Sequence, residues 1–192
     1  MKEEKRANII AFCGIDGSGK TTQLKLTKDY LSETGSVFVA KLDYFPLNKM
    51  GDNYFLDMAL KGYSALKIIA YYYELQHHEA FNYDYILCDR HLLCYLAYAH
   101  AYNIPFLKFI RDLLFLVDDP DQTFYFDVPV EVALARVSKR TTMDRSENIA
   151  TLTKAKEGYE YAIKLFKNVF RIDATLSEEE CFLEIKKKIR VK

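Results

Sequence analysis

Three of the seven glycines in the chain lie within six positions, in the segment FCGIDGSGKTTQ of residues 12–23. The segment has the spacing Gly14-x-x-x-x-Gly19-Lys20-Thr21. Glycines let the backbone turn so that successive N–H groups face one anion, and a lysine and a hydroxyl at this spacing reach phosphate oxygens and Mg²⁺. The segment therefore predicts a phosphate-binding loop for a nucleoside triphosphate. Its predicted contacts are Gly14, Ile15, Asp16, Gly17, Ser18, Gly19, Lys20, Thr21 and Thr22.

A second polar group directly follows an apolar run, in the sequence YDYILCDRH of residues 83–91. Ligands of open α/β sheets bind beyond the carboxyl ends of the strands, so charges placed there face a binding site. Asp89 can hold Mg²⁺ through water, and Arg90 can hold a phosphate or an acceptor group. The alternative is a surface ion pair, but the position after a buried strand favours a functional role.

A third segment, LARVSKRTTMDRSE at residues 134–147, places four cations around irregular polar residues. We predict a lid at about residues 138–148 that closes over the transferring phosphoryl group, excludes water and supplies positive charge. The alternative is a solvated helix end, where cations also favour the helix dipole. Arg140 is predicted to be catalytic, and the predicted nucleotide-binding cations are Arg136, Lys139 and Arg145.

Apolar runs alternate with helix-like segments along the whole chain. The predicted strands are 7–13, 37–42, 83–90, 122–128 and 169–174. The predicted helices are 20–33, 63–81, 91–117 (one or two helices), 129–140, 149–167 and 177–189, the last capped by Ser177 with Glu180. This alternation indicates βαβ units and a mostly parallel sheet, and we expect one α/β domain over residues 1–192.

Composition argues against several classes of function. Half of the residues are hydrophobic and the formal net charge is zero, which favours neither disorder nor a nucleic-acid partner. No apolar run approaches the roughly 18 residues of a membrane span, and the N-terminal apolar segment is too short for a secretory signal. We therefore expect a cytoplasmic protein with no membrane partner. The four cysteines match no zinc spacing and are expected to be buried thiols.

Four segments together resemble the thymidylate kinase family: FCGIDGSGKTTQ, CDRHLLCYLAYA, FDVPVEVALARVSKRTTMDRSE and EGYEYA. Their order and spacing also agree with that family, and the resemblance covers most of the chain. It implies a three-layer P-loop kinase fold, with helices on both faces of a five-stranded parallel sheet of order 2-3-1-4-5. It further implies transfer of the γ-phosphoryl group of Mg-ATP to a nucleoside monophosphate, in a family that is commonly homodimeric.

The resemblance also implies roles for individual residues. Asp16 matches a loop aspartate that lies near the sugar and phosphate of the acceptor, while Lys20 and Thr21 match the phosphate and Mg²⁺ residues. Asp89 and Arg90 match an Asp-Arg-Tyr motif, with histidine in place of the tyrosine. The predicted catalytic residues are therefore Lys20, Asp16, Asp89, Arg90 and Arg140, and the predicted metal residues are Thr21 and Asp89.

The acceptor side departs from the family pattern, whereas the donor side is intact. After the second strand the family usually has Arg-Glu-Pro-Gly-Gly, but this chain has LDYFPLNK. Further on, the family has an arginine shortly before Gln-His, and Glu74 stands at that place in YELQHH. Besides Asp16 and Arg90, the predicted acceptor contacts are Phe45 and Tyr72, which can stack on a base, and Gln76, which can pair with a base edge.

The sequence thus predicts a kinase for dTMP or a related pyrimidine nucleotide, and it leaves two alternatives open. One is a deoxynucleoside kinase, whose neutral acceptor needs fewer arginines; the nearest candidate for its general base is Asp43. The other is a nucleotide-binding protein without turnover, against which the intact phosphate loop argues.

Overall fold

A five-stranded parallel sheet forms the centre of the computed structural model, which describes residues 6–41, 54–104, 107–112, 116–139 and 148–191. The strands have the spatial order β2-β3-β1-β4-β5, and every neighbouring pair is parallel. This order confirms the fold class predicted from the sequence. The strands are β1 Asn8–Cys13, β2 Val37–Lys41, β3 Tyr85–Asp89, β4 Gln122–Asp127 and β5 Val169–Asp173.

The connections between these strands are mainly helical. The described helices are α1 Lys20–Leu31, α2 Tyr54–His77, α3 Leu92–Ala101, α4 Leu107–Asp112, α5 Val130–Val137, α6 Ile149–Ala162 and α7 Glu178–Lys188, with short 3₁₀ turns at Glu79–Phe81 and Ile163–Leu165. The second helix begins well before residue 63, because a glycine inside a helix is tolerated at a modest cost. The predicted helix over 91–117 is divided, and the predicted cap at Ser177 is a complete capping box with Glu180.

The central strand β1 is apolar throughout, and all six of its residues are buried. Within the sheet the ring of Phe12 stacks on that of Phe126 and lies tilted against that of Phe124 on β4. The register pairs Phe12 with Asp89 on one side and with Phe124 on the other. Because the strands are parallel, the loop after β1 and the charged residues after β3 meet at the same edge of the sheet.

Helices α3 and α6 pack against each other at very close range. A Cβ atom on Gly158 of α6 would lie less than 3.0 Å from the carbonyl oxygen of Ala97 on α3. Only glycine therefore permits this approach. Since α3 follows directly on the charged end of β3, this contact also fixes the element that supports Asp89 and Arg90.

The predicted lid lies mostly outside the described residues, and so do Arg140 and Arg145. The prediction of a single domain over the whole chain stays a prediction. Within the described ranges, no helix combines the length and apolar character needed to cross a membrane.

We expect Gly158→Ala to lower the free energy of unfolding by about 1–3 kcal/mol, because the added methyl group collides with the backbone of α3. Urea unfolding would measure this loss. Lys154→Ala, at an exposed position of the same helix, is the matched control and should change stability by less than about 0.5 kcal/mol. An unchanged unfolding midpoint for Gly158→Ala would contradict this, since it would show that α3 and α6 can move apart to accept the methyl group without losing stability.

Candidate active site

The loop between β1 and α1 has the backbone conformation that binds an anion. Gly17 and Gly19 have φ angles of 84° and 85°, a backbone region that residues other than glycine and asparagine rarely adopt. A side chain on Gly17 would collide with the carbonyl of Ala133 on α5, whereas Gly19 faces open space. Gly19 is also the N-cap of α1, and no side chain caps that helix. The first N–H groups of α1 are therefore left for a ligand, and a phosphate is the group that they suit.

The predicted loop residues divide into buried and exposed members. Gly14, Ile15 and Ser18 are buried, while Thr21 and Thr22 are exposed on the first turn of α1. The hydroxyl of Ser18 is buried and has no hydrogen-bond partner within the described part of the chain. A buried polar atom without a protein partner is uncommon, and at this position it fits a loop built around a ligand oxygen.

Lys20, the lysine of the loop, is held back against the loop itself. Its Nζ donates to the carbonyl oxygen of Ile15 and to Oδ1 of Asp16, both at 3.2 Å, and the side chain is only 7% exposed. Burial is the main cause that lowers the pKa of Lys20, and the positive charge of Arg90 lowers it further, whereas Asp16 opposes the change. The carboxylate of Asp16 therefore favours the charged form of the lysine against the effect of burial.

Asp16 joins the loop to the charged end of β3. Its Oδ1 accepts from Nη2 of Arg90 at 2.7 Å, across 74 residues of sequence, while it also accepts from Lys20. Burial alone would raise the pKa of Asp16, but the charges and hydrogen bonds of Lys20 and Arg90 bring it down to about 2. Asp16 in turn holds the pKa of Arg90 well above its ordinary value, against the effect of burial. Three of the predicted catalytic residues thus form one ionic triad, Lys20–Asp16–Arg90.

Asp89 and Thr21, the predicted metal residues, lie on the two elements that meet at this triad. Asp89 is the last residue of β3, is half-buried, and pairs in register with Phe12 of β1 and Lys41 of β2. Thr21 follows the lysine of the loop. Carboxylate and hydroxyl oxygens are suitable donors for Mg²⁺. Their role as metal residues stays a prediction.

A cavity of about 380 Å³ borders both the loop and α7. Its walls come from the loop, from α5 and from the turn between β5 and α7. Nη1 of Arg136 donates to the carbonyl oxygen of Ala174 at 2.9 Å and lies 3.5 Å from that of Gly17, so this side chain ties the turn to the loop. The sequence indicated Arg136 as a nucleotide-binding residue, but it did not indicate the turn between β5 and α7. The lining residues of the turn and of α7 are Ala174, Leu176, Ser177, Glu178 and Cys181.

The side chain of Gln76 is bonded to the backbone of the protein itself. It is buried, its Nε2 donates to the carbonyl oxygen of Asp118 at 2.6 Å, and its Oε1 accepts from the N–H of Asp118 at 2.9 Å. Both ends of the amide are thus bonded to one stretch of backbone. These bonds occupy the groups that the predicted contact with the acceptor would use. The sequence did not indicate them, because nothing in a helical glutamine identifies a backbone partner 42 residues away.

Tyr72 is also enclosed rather than presented to a ligand. It is 1% exposed, its ring lies 4.3 Å from that of His91, and its hydroxyl donates to the carbonyl oxygen of Arg90 at 2.7 Å. The predicted stacking of this ring on a base is therefore not supported.

Among the other predicted residues, Lys139 is exposed just beyond α5. Phe45, Arg140 and Arg145 lie outside the described residues, as does Asp43.

The four cysteines are buried free thiols, as the sequence predicted. They lie at positions 13, 88, 94 and 181, and none is available as an exposed nucleophile. Among the residues that the structure describes, no group of three or more histidine, cysteine or acidic side chains could hold a metal ion.

Comparisons with known proteins give one consistent result. A family model described as "Thymidylate kinase" matches residues 12–185. A protein named "Thymidylate kinase" from Thermosipho africanus (strain TCF52B) is 31% identical over 93% of this chain and 95% of its own length. One from Trichodesmium erythraeum (strain IMS101) is 28% identical over 90% of each chain. A "Probable thymidylate kinase" from Sulfolobus acidocaldarius is 30% identical over 90% of this chain and 91% of its own.

The ionic triad generates a prediction about pH. The pKa of Asp16 falls from an ordinary value of 3.8 to about 2 on folding. The ionised carboxylate therefore stabilises the folded chain at a pH above 3.8. That contribution to stability is lost as the pH falls towards the pKa of about 2 in the folded chain. Asp16→Asn should therefore lower the free energy of unfolding by about 1–2 kcal/mol near neutral pH, a figure reduced for partial exposure of the carboxylate.

Urea unfolding of both proteins from about pH 7 down to about pH 3 would test this sign. The difference between them should shrink as the pH decreases. Asp29→Asn, at an exposed position of helix α1, which follows the loop that carries Asp16, should show no such trend. A difference that stayed constant with pH would mean that Asp16 is not the titrating group.

Proposed function

The chain belongs to the thymidylate kinase family, and we propose that it transfers the γ-phosphoryl group of ATP to the phosphate of dTMP or a related pyrimidine nucleoside monophosphate. The family model covers residues 12–185, and curated relatives of similar length carry the name thymidylate kinase. The chain is accordingly a nucleotide kinase. One structural observation supports the proposal most directly. A single carboxylate, Asp16, bonds both the lysine of the phosphate loop and the arginine at the end of β3.

On the donor side, the proposal assigns the phosphates of ATP to the loop and its nucleoside to the neighbouring cavity. The uncapped N-terminus of α1 offers N–H groups and a partial positive charge, and Lys20 adds a full charge. The cavity beside Arg136 borders directly on Gly17, Ser18 and Gly19. A ligand whose tail sits in the loop can therefore place its base there without leaving the protein surface.

The divalent metal that this chemistry requires would be held by oxygen donors of two elements. We assign the hydroxyl of Thr21 and, through water, the carboxylate of Asp89. When bound, Mg²⁺ neutralises charge on the β- and γ-phosphates. Both residues are on elements adjacent to the loop, and both have the hard oxygen ligands that this ion prefers.

On the acceptor side, Arg90 is the cation best placed to hold a phosphate. Its guanidinium is already directed at Asp16 and lies over the ring of Tyr98, 5.9 Å from the ring centroid. In phosphoryl transfer little covalent work falls to the protein, and positioning with charge compensation accounts for most of the rate. Lys20 and Arg90 provide these while bonded to the same carboxylate oxygen of Asp16. We further propose that Lys139, Arg140 and Arg145 contribute charge from the lid.

An acceptor panel tests the proposal and separates it from its alternatives. ATP consumption would be measured with dTMP, dUMP, thymidine and deoxycytidine. We expect turnover with dTMP or dUMP. Turnover with a nucleoside alone would identify a deoxynucleoside kinase, and ATP binding without any acceptor-dependent turnover would identify a nucleotide-binding protein.

Lys20→Ala should lower kcat by at least about 100-fold while leaving the chain folded, because it removes positive charge next to the transferred group. Steady-state kinetics would be measured beside the thermal unfolding midpoint. Lys25→Ala, an exposed lysine on the same helix, should retain full activity. A near-normal rate for Lys20→Ala would contradict the scheme.

We also propose that the chain forms a homodimer through α2. One face of this helix is apolar or aromatic and exposed, with the residues Tyr63, Leu66, Ala70, Tyr73 and His77. Their separations alternate between three and four positions, which is the spacing of a helix–helix seam. The rings of Tyr73 and His77 lie 4.2 Å apart, so they share this face. We call these five residues the α2 seam.

Charges beside the α2 seam favour a second copy of the same chain as its partner. Lys67 and Glu74 are both exposed on one edge of the seam. In an antiparallel pair centred near Ala70, Lys67 of one copy lies opposite Glu74 of the partner subunit. Two-fold symmetry then forms this opposite-charge pair twice. Leu66 meets Tyr73 of the partner subunit in the same arrangement.

Leu66→Lys should shift the protein to a monomer, because it places charge in the centre of the α2 seam. Sedimentation velocity over a range of concentrations would show this. Leu183→Lys, the same change at a similarly exposed leucine on α7, should leave the dimer intact. Lys67→Glu should weaken the dimer, and adding Glu74→Lys should restore it. A wild-type protein that is monomeric at every concentration would refute the interface.

A further inference from the structure

The backbone of Arg90 has an unusual conformation. Its φ angle is 76°, in the left-handed region. Within the described residues the other non-glycine residues with positive φ are Asn103 and Asn168. Asparagine tolerates this region because its short side chain bonds locally, but arginine has no such compensation. The surrounding structure must therefore hold Arg90 in place.

Hydrogen bonds fix the backbone of Arg90 on both sides. Its N–H donates to the carbonyl oxygen of Phe12 at 3.2 Å. Its carbonyl oxygen accepts from the hydroxyl of Tyr72 at 2.7 Å. One bond comes from the central strand and the other from α2, so two separate elements hold the peptide units that flank this residue.

The ring of Tyr72 is held independently of its hydroxyl. It is buried, packs against the ring of His91 at 4.3 Å and meets that of Tyr71 edge-on at 5.3 Å. The hydroxyl is thereby directed at a fixed point. Removing this one oxygen should leave the ring in its site, which makes the bond to Arg90 separable from the packing.

We propose that Tyr72 is a positioning residue for phosphoryl transfer. Its hydroxyl holds Arg90 in the left-handed conformation and so directs the guanidinium at Asp16 and at the acceptor phosphate. Were the backbone to relax to negative φ, the direction of the Arg90 side chain would change, because φ determines where Cβ points relative to the chain. The link to the acceptor rests on the function proposed above, whereas the link from Tyr72 to Arg90 does not.

Tyr72→Phe tests the inference by removing the hydroxyl alone. We expect kcat/KM for the acceptor to fall about tenfold, the rate equivalent of about 1.4 kcal/mol, while KM for ATP changes less than about twofold. Tyr71→Phe is the matched control, since Tyr71 is half-buried on the same helix. It should leave both constants within about twofold of the wild type.

A double-mutant cycle separates positioning from a general structural role. In an Arg90→Ala background the guanidinium is absent, so adding Tyr72→Phe should have no further effect on the acceptor constants. A further loss of about tenfold in that background would show that Tyr72 acts on activity independently of Arg90, and would overturn the inference.

A crystal structure of Tyr72→Phe gives a readout that does not depend on activity. We expect Arg90 to leave the left-handed region and its guanidinium to move out of hydrogen-bond range of Asp16. If both features persist unchanged, Tyr72 does not position Arg90. If wild-type protein phosphorylates no nucleoside monophosphate, the proposed function fails instead, and the crystal structure still decides the role of Tyr72.

Discussion

One carboxylate between two cations is the interaction on which the rest of the site depends. Lys20 and Arg90 both bond Oδ1 of Asp16, at 3.2 and 2.7 Å. Without that oxygen the two cations would face each other in a partly enclosed site, and the charge of Arg90 already lowers the pKa of Lys20. The strand order makes the contact possible, because β1 and β3 are neighbours in parallel register. Residues 74 apart in sequence therefore meet at one edge of the sheet.

The sequence predicts those parts of the structure that local chemistry determines. The spacing of the loop glycines predicts a backbone that only glycine adopts readily, and the capping box at Ser177 lies within one helical turn. The alternation of apolar runs predicts the five strands to within one or two residues at each end. The sequence cannot predict which distant partner a polar side chain meets. Tyr72 and Gln76 are bonded to backbone carbonyls, and carbonyl groups are common to all residues, so no pattern of residue types indicates them.

The turn between β5 and α7 is a second example of this limit. Three side chains from different elements bond carbonyl groups in this turn or at its two ends: Arg136 bonds that of Ala174, Cys181 bonds that of Asp173 at the end of β5, and Gln23 bonds that of Glu178 at the start of α7, at 2.8 Å. The turn forms a wall of the cavity beside the phosphate loop. Its shape is thus fixed by α5 and α1 as well as by its own helix. Under the proposed function, this wall would hold a constant distance between the loop and the base of the nucleotide.

Charge balance is the physical argument for the proposed role of the basic segment near residue 140. Two cations against one carboxylate leave the described triad with a single positive charge. A donor triphosphate and an acceptor monophosphate together bring far more negative charge than that, and phosphates that repel each other do not align for transfer. The triad can therefore orient the two substrates, but further cations are needed to neutralise them. Under the proposed function, the metal ion of the donor nucleotide and the proposed lid cations Lys139, Arg140 and Arg145 would supply this charge, so that their contribution and binding of the acceptor would be coupled electrostatically.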